Sequence, residues 1–200
     1  NAGDVNNDGF DDLIVGAYRA DPNGDLSGSS YVVFGTDSTS AIELSTIEAE
    51  GGGGFVINGV EAGDFSGHSV SNAGDVNNDG FDDLIVGAYN ADPNGDSSGS
   101  AYVVFGTDST SAIELSTIEA EGGGGFVING VEASDFSGWS VSNAGDINDD
   151  GLDDLIVGAY GADPNGDSSG SAYVVFGTGN TTAIELSTIE AEGGGGFVIN

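Results

Sequence analysis

The sequence predicts an all-β fold of repeated four-stranded, propeller-type blades, and three observations carry that reading. A block of 71 residues recurs nearly unchanged, so that Asn1-Ala2-Gly3-Asp4 returns at residues 72–75 and 143–146. Each period holds short runs rich in β-branched and aromatic residues, bounded by Gly, Asn, Asp and Ser. Sustained helical periodicity is absent.

Within one period the four strands are expected at residues 69–73, 83–89, 101–106 and 126–131. The second, third and fourth centre on Leu84-Ile85-Val86, Tyr102-Val103-Val104-Phe105 and Phe126-Val127-Ile128. Residues 112–121 admit a helical turn or an extended insertion equally, because the glycine run at 122–125 stops any helix. Four short strands repeated are the pattern of a propeller blade.

Segments 1–58 and 72–129 differ only at Arg19/Asn90, Leu26/Ser97 and Ser30/Ala101. The stretch at 59–71, repeated at 130–142, has no copy ahead of Asn1, so the sequence is expected to open partway through a repeat. Three units follow: 1–58, lacking its innermost strand, 59–129 and 130–200. Three blades make a partial or open propeller, whose uncovered edges call for further repeats of a longer chain or for homotypic contacts that build a ring or filament.

Composition narrows the function. Thirty-four Asp and Glu stand against one basic residue, Arg19, for a net charge of −33. Nothing here neutralises phosphates, which excludes nucleic acid or an anionic membrane surface as the main partner. The hydrophobic 38% falls in compact runs, which argues for a folded chain. The absence of Cys removes thiol catalysis and thiolate metal sites. No apolar run approaches the ~20 residues of a membrane helix, so no membrane insertion is expected.

The sharpest motif is a nine-residue acidic loop, Asp-x-Asn-x-Asp-Gly-x-x-Asp, between the first and second strands. Its copies run through Asp4, Asn6, Asp8, Phe10 and Asp12; Asp75, Asn77, Asp79, Phe81 and Asp83; and Asp146, Asn148, Asp150, Leu152 and Asp154. Oxygen-bearing side chains at positions 1, 3 and 5 turn toward one centre, Gly at 6 permits a sharp turn, position 7 offers a carbonyl, and Asp at 9 closes the set. Three carboxylates about 5 Å apart repel by roughly 3 kcal/mol per pair at an effective dielectric near 20, and a divalent cation reverses that sign. Oxygen-only donors in an irregular set suit Ca²⁺ better than Mg²⁺, about one ion per repeat and three in all. Val15, Val86 and Val157 stand where an EF-hand needs its twelfth-position Glu, so that fold is excluded.

Phe65-Ser66-Gly67, then Ser69-Val70, the acidic loop at 75–83, and Leu84-Ile85-Val86-Gly87-Ala88-Tyr89 together resemble the FG-GAP repeat of integrin α-subunit propellers and of bacterial surface proteins. The resemblance covers the chain copy after copy. It implies blades of four antiparallel strands with Ca²⁺ held in the hairpin between the first and second strands. Two departures are Tyr18, Tyr89 and Tyr160 in place of the motif's final Pro, and the long insertion at 107–125.

Other candidates are weaker. His68, the single histidine, is replaced one period later by Trp139, which reads as packing rather than catalysis. Lys is absent, and no Ser-His-Asp set can be assembled. Glu61 with Asp64, or Glu48 with Glu50, reads as solvated acidic surface rather than as a glycosidase pair. Asp21-Pro22-Asn23-Gly24-Asp25 and its copies have turn chemistry, with a second cation site as the alternative.

The function expected is therefore a non-enzymatic, calcium-binding structural or adhesive module, extracellular or on the cell surface, where free calcium is high enough to fill such loops. The alternative is a lectin-like propeller that takes a carbohydrate or protein ligand, with Trp139 and the tyrosines as stacking surfaces.

Overall fold

A computed structural model describes residues 1–48, 53–120, 124–191 and 195–200. Glu50 of the Glu48–Glu50 pair and parts of the three glycine runs lie outside the described residues.

The first repeat contributes β1 (Leu13–Ala17), β2 (Ser29–Val33), α1 (Leu44–Glu48) and β3 (Gly54–Asn58). The second contributes β4 (Ser69–Gly74), β5 (Asp83–Ala88), β6 (Ser100–Val104), β7 (Ile113–Glu114), α2 (Leu115–Glu119) and β8 (Gly125–Asn129). The third contributes β9 (Ser137–Gly145), β10 (Asp154–Ala159), β11 (Ser171–Val175), β12 (Ile184–Glu185), α3 (Leu186–Glu190) and β13 (Gly196–Ile199). The fold is all-β, as the alternation of short apolar runs and turn residues requires. Neighbouring strands of one repeat pair antiparallel in chain order, and among the described residues the sheets do not close into a barrel.

The expected third and fourth strands each run two residues too far at their C-terminal ends. The Phe105 N–H leaves the ladder for the Gly124 carbonyl, and the Gly106 N–H donates to Asp83 Oδ1 at 2.8 Å. The Gly130 N–H similarly turns to the Gly99 carbonyl.

Alternation along the strands gives each sheet two apolar faces. Leu84, Val86, Tyr102 and Val104 of the second repeat pack with Val32, Phe55 and Ile57 of the first. The opposite face, with Ile85, Val103, Phe126 and Ile128, packs with Leu155, Val157, Tyr173 and Val175 of the third. The middle sheet is thus buried on both sides, and every residue of β5 is buried. Each such aliphatic side chain contributes about 1.5–3 kcal/mol.

The insertion, left open by its sequence, is both helical and extended. Leu115 and Ile118 sit three apart on one side of α2 and are buried, while Thr117 Oγ1 donates to the Glu114 carbonyl at 2.7 Å at the helix start. The two residues ahead of the helix form β7, which joins the sheet of the preceding repeat, parallel to β3, with Ile57 opposite Ile113 and Asn58 opposite Glu114. In the same way β12 adds to β8. The middle sheet therefore has five strands, in the order β12-β8-β6-β5-β4.

Blade contact demands close backbone approach. A Cβ on Gly87 would collide with the Gly138 carbonyl of the next repeat, and one on Gly16 with that of Gly67. The Ser66 N–H donates to the Ser27 carbonyl at 3.2 Å across the first seam, and the Ser137 N–H to the Ser98 carbonyl at 3.0 Å across the second.

Candidate metal loops at the blade hairpins

The structure places each acidic loop at the entry to the second strand of its blade. In the second repeat it fills the hairpin between β4 and β5. Local chemistry shapes the turn: Asn7, Asn78 and Asp149 take left-handed φ of 56°, 59° and 60°, a conformation that Asn and Asp tolerate. Gly9, Gly80 and Gly151 follow at positive φ two residues later.

Within the first loop, Asp4 accepts the N–H groups of Asp8 and Gly9, both at 2.9 Å, one on each oxygen. Asn6 Oδ1 accepts the Asp8 N–H at 3.0 Å, and Asp8 accepts from Phe10 N–H and Asn6 Nδ2, both at 2.9 Å. Asp75, Asn77, Asp79 and Phe81 repeat this pattern, as do Asp146, Asn148, Asp150 and Leu152. Asp12, Asp83 and Asp154 close each loop from beneath and are fully buried. Asp83 holds the Val76 N–H at 3.0 Å and the Gly106 N–H at 2.8 Å, so it ties the loop to the end of β6.

The carboxylates thus lean on the loop's own N–H groups. Among the described residues no three His, Cys, Asp or Glu side chains converge as a preformed cage. The donor set nevertheless fits a hard divalent cation. Every side-chain donor is oxygen, and each carboxylate oxygen retains a lone pair beyond the one its N–H partner uses. Burial pushes the Asp83 carboxyl up to about 7 against the pull of the Gly106 and Val76 N–H groups, and repulsion from Asp79 and Asp75 adds to the rise. Asp12 is raised by burial in the same manner, with Asp8 and Asp4 contributing. A cation beside these groups would relieve that strain.

The loops are also joined to one another. Asp82 Oδ2 of the second repeat accepts the Asp4 N–H of the first at 2.8 Å, and Asp153 of the third accepts the Asp75 N–H of the second at 3.0 Å. The residue before the ninth-position Asp therefore reaches the first residue of the preceding loop. Its only signal in the sequence is the Asp-Asp doublet that recurs in every copy; its partner, 78 residues away, leaves no local mark.

A second link was also missed. Glu114 Oε1 accepts from Asn58 Nδ2 and Oε2 from Asn23 Nδ2, each at 2.8 Å, and Glu185 repeats both bonds with Asn129 and Asn94. Asn23 thus serves inside its turn as a donor to the next repeat, and Asp21 Oδ1 accepts the Leu26 N–H at 2.7 Å.

One expectation is corrected. Asp64 is not solvated surface: it is 8% exposed, accepts the Glu61 N–H at 3.0 Å, and is pushed up to about 6 by burial, with Glu61, Glu119 and Asp92 adding repulsion. It closes the turn that leads into Phe65, a structural task that demands burial.

His68 lies among rings, 4.7 Å from Tyr89 and 4.5 Å from Trp139 between centroids, in a row that runs from Tyr18 to Tyr160 across all three repeats. Among the described residues its Nδ1 is buried without a hydrogen-bond partner.

Comparison with known proteins agrees with this architecture. The FG-GAP repeat family matches residues 1–33, 66–104 and 137–175. Curated relatives include integrin alpha-IIb of Mus musculus, 30% identical over 80% of this chain, and integrin alpha pat-2 of Caenorhabditis elegans, 31% identical over 86%. Integrin alpha-4 of Xenopus laevis is 32% identical over 81%. The chain spans only 13–14% of the length of these relatives.

Proposed function

Because the chain belongs to the FG-GAP repeat family, we propose that it is a calcium-binding structural or adhesive module in which one Ca²⁺ per loop pins the hairpin between the first and second strands. The observation that carries this reading is the threefold recurrence of one oxygen donor set, each closed by a buried carboxylate, with Asp12 and Asp83 further crowded by the acidic groups of their own loops. Asp4, Asn6, Asp8 and Asp12, with the Phe10 carbonyl, would hold the first ion; Asp75, Asn77, Asp79, Phe81 and Asp83 the second; Asp146, Asn148, Asp150, Leu152 and Asp154 the third. The ion supplies charge neutralisation and rigidity, not chemistry.

The chain's own residues then transmit that rigidity. Asp82 and Asp153 rest on the backbone of the loop before them, so ordering one loop orders the seat of its neighbour. The units 1–58, 59–129 and 130–200 act as successive modules of such a stack. An extracellular or cell-surface location follows from the calcium concentration these loops need, and among the described residues no helix is long and apolar enough to cross a membrane. A non-enzymatic role is supported by the packing of the single histidine among aromatic rings.

Equilibrium dialysis tests the reading: about three Ca²⁺ per chain are expected, one for each loop that carries the donor set, and Asp79→Ala should remove one of them. No binding at extracellular calcium levels would refute it.

A lectin-like role is the second reading, favoured by the row of rings in which Trp139 is 38% and Tyr160 48% exposed. Glycan binding abolished by Trp139→Ala would support it.

A further inference from the structure

The third repeat departs from the other two at one loop in a chemically specific way. After the third strand the chain reads Thr36-Asp37-Ser38-Thr39-Ser40 in the first repeat and Thr107-Asp108-Ser109-Thr110-Ser111 in the second, but Thr178-Gly179-Asn180-Thr181-Thr182 in the third. The exchange creates Asn-Thr-Thr, the only Asn-x-Ser/Thr within the 200 residues and the acceptor pattern of N-glycosylation.

The structure puts this pattern where a transferase can reach it. Residues 176–183 join β11 to β12, and Asn180 and Thr182 are both exposed. Ser109, at the same position of the middle repeat, is exposed although a repeat flanks it on either side, so the exposure belongs to the loop's place in the blade. In every copy the Thr hydroxyl at the start of the loop accepts the N–H two residues on, from Ser38, Ser109 or Asn180, at 3.1–3.2 Å. In the first two copies the serine then accepts the N–H of Ser40 or Ser111 at 3.2 Å and closes a second turn. Among the described residues Asn180 makes no such bond, and its amide is uncommitted, whereas the Nδ2 groups of Asn23, Asn58, Asn94 and Asn129 are all spent on carbonyls or carboxylates. Residues 180–182 can therefore be drawn into an extended form at little cost in hydrogen bonds. A cavity of about 530 Å³ opens beside Asn180, with Phe176, Thr182, Ile184 and Thr188 in its wall, and gives the first sugar a seat.

We propose that Asn180 is the acceptor of an N-linked glycan. Its Nδ2 attacks the anomeric carbon of a lipid-diphosphate-linked oligosaccharide; the C–N bond forms as the C–O bond to the diphosphate breaks, the lipid diphosphate leaves with the electron pair, and the amide gives one proton to the transferase. The Thr182 hydroxyl is the group the transferase recognises. A Cβ on Gly179 would stand 3.7 Å from the Asn77 carbonyl, so the glycan rises beside the second acidic loop. The opposite end of the strands, with the row from Tyr18 to Tyr160, stays open to a partner. The inference rests on the extracellular reading, because the donor meets exported chains.

Transfer to the folded 200-residue chain tests it, with a purified oligosaccharyltransferase that requires only Asn-x-Ser/Thr and its lipid-linked donor, read by intact mass and peptide mapping. One glycan is expected, on the peptide that carries Asn180, and a glycan-specific amidase should release it and leave an aspartate there. Asn180→Gln and Thr182→Ala, both exposed loop changes that should leave the melting temperature unmoved, should abolish transfer. Ser109→Asn completes the same pattern with Thr110 and Ser111 and should add a second glycan in the middle repeat. A folded chain that stays unmodified while its denatured form accepts the glycan would overturn the proposal, as would no transfer to either form, or a glycan that persists in Asn180→Gln. Because the assay supplies transferase and donor, its failure counts against the acceptor site alone, whereas the extracellular reading is tested separately by where the protein is found.

Discussion

Glu114 of the second repeat divides its carboxylate between Asn58 and Asn23 of the first, one oxygen to each at 2.8 Å, while its backbone extends the first sheet by a parallel strand. The residue binds sheet to sheet by two kinds of bond at once. Removing the carboxylate leaves two amide donors at the seam to water. Glu114→Ala should lower unfolding stability by about 1–2 kcal/mol, and a double-mutant cycle with Asn58→Ala should show coupling of about 1 kcal/mol. Denaturant midpoints of the four proteins measure both.

Two glycines separate two mechanisms. Gly80 sits at φ +89° with open space around it, so Gly80→Ala should cost only the left-handed strain, about 1–2 kcal/mol, and should weaken cation binding at the second loop. Gly87 has no positive φ, but a methyl there meets the Gly138 carbonyl. Gly87→Ala should therefore force the second and third sheets apart at a cost of about 1–3 kcal/mol or more. Hydrogen exchange along β5 and β9 would show the seam opening in the second variant and not in the first.

Much of this was legible in the sequence. The repeat, the four strands of each period and the acidic loops all depend on contacts within about 30 residues, so turn residues and alternation report them directly. The inter-repeat bonds were not legible. Glu114 lies 56 residues from Asn58 and 91 from Asn23, and Asp82 lies 78 from Asp4, so nothing local distinguishes these side chains from solvated acids. Asp64 misled for the same reason: its sequence neighbours are polar, and its burial arises from the fold. The Ile-Glu pairs at 113–114 and 184–185 carry no intrinsic strand signal, since the identical residues 42–43 stay unpaired where no edge adjoins them.

Stability should depend on pH in the direction opposite to that of most acidic proteins. Asp64, pushed up to about 6, and Asp83, pushed up to about 7, sit above the unfolded Asp value of about 3.9. Between these values the folded state binds more protons than the unfolded one, so stability falls as pH rises from about 4 through 6 to 7. The cation-free chain should be more stable at pH 5 than at pH 7, and Asp64→Asn should flatten its share of that slope by up to about 3 kcal/mol. A calcium ion bound as proposed would hold Asp83 ionised, so binding near pH 7 should release protons. Urea midpoints across pH, with and without chelator, check the sign.

The insertion is anchored to its own sheet by a tyrosine. Tyr173 donates to Glu190 at 2.6 Å, Tyr102 and Tyr31 donate to Glu119 and Glu48 in the same way, and burial raises all three phenols. Tyr102→Phe keeps the ring and loses only the bond, so about 1 kcal/mol of stability should go, with faster proteolysis near α2. Limited proteolysis of the two proteins in parallel reads it out.

Thermal unfolding against free calcium, with Asp79→Ala beside the unaltered chain, tests the role of the acidic loops most directly. Each filled loop should add about 2.7 kcal/mol at calcium one hundredfold above its Kd, so the melting temperature should climb steadily with calcium and climb less in the variant. A melting temperature that ignores both calcium and chelator would contradict the account.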